Sequence, residues 1–174
     1  IGYTHCPGMR HGYVEFLQRI ADKHAVTRIV HIGDLVDWAS ISFHTKPAGL
    51  RNGMTEYNEA LRQVHRIARA FPKADWLLGN HDSLPERNLD EIGLPRETLR
   101  SHNDLWGIDW KVHQRFGTLE IDGVLYSHGE TGRGGQDAAW NQAKDQFRSV
   151  VIGHYHSNAG AKWWANQEFR IFGL

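Results

Sequence analysis

The chain has 174 residues, enough for one ordinary domain, and its 20 basic side chains balance 20 acidic ones, so bulk charge gives no pull toward nucleic acid or an anionic membrane. Apolar residues make up 40% with seven tryptophans, which excludes a disordered chain, and no run of about 18 apolar residues is present to span a bilayer. One cysteine excludes an internal disulfide and suits a reducing compartment, so a single domain over 1–174 in the cytoplasm, lacking a few residues at one or both ends, is the expectation.

Val14, Leu17, Ile20 and Ala21 recur at helical spacing and predict an amphipathic helix over about 11–24. Thr27 to Ile32 is a short β-branched run that ends at Gly33-Asp34 and reads as a buried strand. The clearest helix is 55–71, with Tyr57, Leu61, Val64, Ala68 and Phe71 on one face, Thr55 as N-cap and Pro72 beyond its end. Ala74 to Leu78 is the next strand, ending at Gly79-Asn80-His81-Asp82. Alternating strands and helices predict right-handed crossovers and a parallel sheet. The stretch 83–117 reads as short helices and loops. Leu119–Ile121 and Val124–Tyr126 form a hairpin across Asp122-Gly123, a pair suited to a two-residue type I′ turn. A helix over 137–147, a strand from Ser149 to Ile152 and a last strand over 168–172 complete the chain.

The strand candidates share one feature. Each stops at a polar cluster: Tyr3-Thr4-His5, Gly33-Asp34, Asn80-His81-Asp82, His128, and the pair His154 and His156. In open α/β sheets ligands bind outside the carboxyl ends of strands, so five such ends point to one site. A Gly-Asp after a strand is by itself an ordinary turn, and a His-x-His is often a surface accident. The ordered set GDLVD, GNHD, SHG and GHYH has no such bland explanation. Among the twelve histidines, His24, His31, His65, His102 and His113 read as structural, and Trp38, Phe43, Trp163 and Trp164 as core or rim packing.

Through these motifs the chain resembles the calcineurin-like metallophosphoesterases, and more closely their small phage- and bacterium-encoded members. The resemblance runs from residue 3 to residue 156. It implies an α/β fold of two packed mixed β-sheets flanked by helices, with two metal ions at the strand ends. It also implies that Asp34 bridges the ions, that Asn80, His128 and His154 complete the second, and that His5 and His156 belong to the first. Such an oxygen and imidazole set suits a divalent transition metal, Mn, Fe, Zn or Ni. By the same resemblance, water activated between the ions attacks phosphorus, His81 is the general acid and Asp37 orients it. Arg133, in Gly132-Arg133-Gly134-Gly135, is the candidate phosphate contact. The implied substrate is a small phosphate monoester or diester; neutral charge argues against nucleic acid, and oligomeric state is open.

One position departs from the family pattern. The first motif is Asp-x-His, and its Asp is replaced by Tyr3, whose phenol has an ordinary pKa near 10 and is a poor ligand for a borderline divalent ion. The expectation is a weakened first metal and reduced or lost activity. The competing reading is a non-catalytic binding module of the same fold, which the retention of every other motif residue disfavours.

Overall fold

The first half of the chain builds a three-stranded parallel sheet in the order β1-β2-β3, from β1 (Val30–His31), β2 (Asp75–Leu77) and β3 (Lys111–His113). The computed structural model describes residues 1–46, 49, 52–156 and 159–174, so residues 47, 48, 50, 51, 157 and 158 lie outside the described residues. Helix α1 (Tyr13–Lys23) precedes β1, α2 (Gly53–Ala70) joins β1 to β2, and α3 (Leu84–Ile92) and α4 (His102–Trp106) fill the way to β3. The second half forms a five-stranded mixed sheet in the order β4-β5-β6-β8-β7. Its strands are β4 (Thr118–Ile121), β5 (Val124–Ser127), β6 (Ser149–Ile152), β7 (Lys162–Ala165) and β8 (Arg170–Gly173), with α5 (Ala138–Gln146) packed on β6 and β8. Two sheets flanked by helices are the expected architecture.

The core lies mainly against the first sheet. Ala60, Val64 and Ile67 of α2 are buried, with Tyr57, Leu61 and Ala68 packed beside them, so the predicted apolar face is the one used. Trp76, Trp106 and Trp110 are its largest fully buried side chains. Trp110 Nε1 donates to the carbonyl of Phe71 at 3.0 Å, which satisfies the indole in the apolar interior. The hairpin turn has Asp122 at φ 51° and Gly123 at φ 74°, the two left-handed residues that a type I′ turn requires.

Several expectations are corrected. Helix α2 starts two residues early, and its cap is Asn52, whose side chain accepts from Thr55 N at 2.9 Å, so Thr55 is capped rather than capping. Residues 1–6 form no regular strand. Tyr3 and His5 take left-handed backbone at φ 53° and 38°, which interrupts pairing and leaves one bridge between Cys6 and Val36. Strands β3 and β7 were not anticipated. Trp163 and Trp164 are not packed in a core or rim but lie 69% and 57% exposed on β7, and Phe43 is half exposed, whereas Trp38 does pack against the core.

At the start of β2 a buried carboxylate ties three elements together. Asp75 Oδ1 accepts from His113 Nε2 at 2.7 Å, and Oδ2 accepts from Arg28 Nε and Nη2 at 3.1 and 3.0 Å. Burial pushes the Asp75 carboxyl up, but the His113 hydrogen bond and the Arg28 charge outweigh it and hold it below the ordinary value. Because the folded pKa lies below the unfolded one of about 3.9, the contribution is present above that pH and is lost as pH falls through the folded value. Asp75→Asn is expected to cost about 2 kcal/mol at neutral pH. Urea unfolding at neutral pH and again below the carboxylate range checks this: the gap from the parent should close in acid, and an equal gap at both would contradict the assignment.

Candidate metal centre

The polar clusters at the strand ends converge. Asp34 follows β1 through Gly33, Asn80 and His81 follow β2, His128 follows β5, and His154 and His156 follow β6. Asp34 is 1% exposed, and around its Oδ2 stand His128 Nε2 at 3.3 Å and His5 Nε2 at 3.7 Å. Two glycines make this approach sterically available. A Cβ on Gly79 would sit 2.2 Å from Asp34 Oδ1, and one on Gly33 would sit 2.4 Å from His128 Nδ1. The glycines that open GDLVD and GNHD are therefore spaces for the side chains of other motifs.

Hydrogen bonds fix which ring nitrogens face inward. His128 Nδ1 donates to the carbonyl of Ile32 at 2.9 Å, so Nε2 is the nitrogen that faces Asp34 and, at 2.9 Å, Asn80 Oδ1. Asn80 Oδ1 also lies 3.0 Å from His154 Nδ1. His5 Nδ1 donates to Asp37 Oδ1 at 3.0 Å, which turns its Nε2 toward Asp34; that nitrogen is buried and has no hydrogen-bond partner. Two Nε2 atoms directed at one buried carboxylate, each ring held through its other nitrogen, are the donor arrangement a cation completes. Asp34, His128 and His154 form one such group, and His5, Asp34 and His156 a second that shares Asp34. The residues present thus fit divalent ions, with Asp34 common to both groups.

A family model described as calcineurin-like phosphoesterase matches residues 1–172. The chain belongs to this family. No curated protein matches it as a relative. Metal-dependent phosphoester hydrolysis is the activity this phosphoesterase family implies, and divalent metals are its usual cofactors.

Beside the phosphoesterase ligand groups stands a histidine arranged differently. His81 N donates to Asp34 Oδ1 at 3.0 Å, which places its backbone, while His81 Nδ1 donates to the Asp37 carbonyl at 2.7 Å with Asp37 Oδ1 at 3.2 Å. Burial lowers the His81 pKa, but the Asp37 carboxylate and carbonyl and the Asp34 charge more than reverse this, pushing it up to about 9. Asp37, held between His5 and His81, is driven far below the carboxylate range by those two hydrogen bonds. Burial, followed by the charge of His128 for His154 and of His5 for His156, lowers the pKa of both and favours the neutral imidazole that ligates metal.

Tyr3 does not take the place of a carboxylate. Its ring stacks on His5 with centroids 5.7 Å apart and tilts against His156 at 4.1 Å, and its buried hydroxyl has no hydrogen-bond partner. Burial, then the Asp34 charge, raises its pKa, so a neutral phenol fills this corner. Arg133 is not brought to the cluster: its Nε and Nη2 donate to Asp145 of α5 at 2.7 Å each, so gripping phosphate would require that pair to open.

Two contributors escaped the sequence analysis. Asp82 is fully buried and accepts from Asp34 N, Gly79 N and Trp76 Nε1 on Oδ2 and from Val36 N on Oδ1, at 2.8 to 3.2 Å. One carboxylate thereby locks the GDLVD and GNHD loops in register. The signal was the last residue of GNHD, already in view but without a role. Arg115, after β3, pairs with Glu130, after β5, through bonds of 2.8 and 2.6 Å, and Glu130 lies close enough to His154 to act on its charge. Nothing local in the stretch 83–117 marked Arg115.

Proposed function

We propose that the chain hydrolyses small phosphate monoesters or diesters with bound divalent ions, His81 serving as general acid, and that Tyr3 weakens one of two ion sites. The observation that carries the reading is the inward-facing Nε2 pair of His5 and His128 on either side of buried Asp34. Asp34 would lend an oxygen to each ion, with Asn80, His128 and His154 around one and His5 and His156 around the other. When bound, such ions supply Lewis acidity, lowering the pKa of water and offsetting charge on phosphoryl oxygens. The protein's own groups do the rest. Asp37 holds His81 by Nδ1, which leaves Nε2 to give its proton to the leaving oxygen. Carbonyl and carboxylate partners keep the ligating rings in their metal-binding tautomers.

The test is hydrolysis of aryl phosphate mono- and diesters by metal-stripped protein to which Mn²⁺ is returned. Turnover that appears with the ion and vanishes with chelator is expected. An ion bound tightly, as measured by calorimetry, with no turnover on any ester would support the non-catalytic scaffold instead.

A further inference from the structure

The two edges of the five-stranded sheet are guarded differently. On β4 the exposed positions are Thr118 and Glu120, and Glu120 is paired with Arg148, a polar edge of the kind that resists strand addition. On β7 all four residues are exposed, and the sequence Lys-Trp-Trp-Ala leaves two indoles in solvent. Its single charge is directed away from the edge, because Lys162 Nζ donates to Asp137 Oδ1 at 2.6 Å at the start of α5. Beside Trp164 lies an apolar groove of about 490 Å³, lined by Lys144, Phe147, Phe169 and Ile171 as well. Phe147, at 89%, is the most exposed large apolar side chain among the described residues.

We propose that β7 pairs antiparallel with β7 of a second copy of this chain about a two-fold axis. An edge strand supplies the same unpaired donors and acceptors to both partners, which is the self-complementarity a two-fold interface needs. The register centred on Trp164 sets Trp163 opposite the partner's Ala165, large against small. It also brings the two Trp164 side chains together on the face that carries the groove. Trp163, Trp164, Phe147 and Phe169 are 69%, 57%, 89% and 45% exposed. With aromatic side chains burying 150–250 Å² each, they offer roughly 500 Å² per copy, so a pair reaches about the 1,000 Å² expected of a biological interface before edge backbone is counted. β7 is the outer strand of its sheet, whereas the candidate metal centre sits at the ends of β2, β5 and β6. The pairing leaves both centres open, so it stands or falls separately from the proposed hydrolysis.

Sedimentation equilibrium at micromolar concentration reads the result. The parent is expected at twice the chain mass and Trp164→Glu at the chain mass, with a cooperative thermal transition retained and metal content and turnover unchanged. Because the one native cysteine, Cys6, is buried, Trp164→Cys provides an independent probe: oxidation should convert it to a covalent dimer, since opposed strand positions lie within disulfide reach. A parent that sediments as a monomer, a Trp164→Glu variant that remains dimeric, or a Trp164→Cys variant that fails to cross-link would each overturn the proposal.

Discussion

Replacing His81 by alanine is expected to slow hydrolysis of an alkyl phosphate ester by about 10²- to 10⁴-fold while leaving metal content unchanged. The loss should be much smaller on a nitrophenyl ester, whose leaving group departs without a proton. The reasoning starts from the two nitrogens of the ring. Nδ1 is committed to Asp37, and Nε2 is the nitrogen left for substrate. Without bound cations the ring holds its proton up to about pH 9, because Asp37 and Asp34 outweigh burial. Bound cations lower that value, which brings it closer to neutral pH and improves the acid. An acid must be protonated to work, so the parent's rate on the alkyl ester should fall as pH rises through the His81 pKa. The alanine variant should lack that alkaline limb. Asp37→Asn should shift the limb to lower pH, since it removes the charge that supports the imidazolium. Equal losses on both esters, or loss of metal from His81→Ala, would reassign His81 as a ligand.

How far the fold could be read from the residues depended on whether the signal was local. Strand β6 was expected at Ser149–Ile152 and is found there, because a short apolar, β-branched run between polar neighbours has few other uses. The Asp122-Gly123 turn was equally legible, since two left-handed residues in succession need that chemistry. Strand β3 was hidden because Lys111-Val112-His113 has one β-branched residue and borrows its stability from pairing with β2. Trp163 and Trp164 misled for a related reason. Tryptophan is usually buried, and nothing in Lys-Trp-Trp-Ala says that its strand will be an edge. At the site, the types and order of His5, Asp34, Asn80, His128, His154 and His156 marked the strand ends. The tautomers did not show, because Ile32 and Asp37, which set them, are contacts made only on folding. Asp82 shows the same limit. Its four N–H donors come from two loops and a strand, so its role exists only in three dimensions.

Tyr3→Asp is expected to raise the number of tightly bound ions from one to two per chain and to increase turnover. The expectation rests on how the tyrosine sits. Its ring lies against His5 and His156, and its buried hydroxyl, raised in pKa first by burial and next by Asp34, accepts and donates nothing. A neutral phenol beside Asp34 adds no charge to the group of His5, Asp34 and His156, whereas Asp34, His128, His154 and Asn80 are untouched. Losing a charged direct ligand should weaken the first ion by more than the 10–100-fold typical of changes to groups that merely support ligands, so the variant should tighten it by at least about 10-fold. An aspartate at position 3 also frees the volume of a ring, which allows His5 and His156 to close on a cation. In the proposed arrangement Asp34 would serve both ions, so the second should be held no more tightly in the variant, because two like charges on one carboxylate repel. Titration calorimetry with Mn²⁺ separates the two events, and the ion count does not depend on turnover. Two tight ions in the parent with equal rates in parent and variant would show that Tyr3 is not a lesion at the first site.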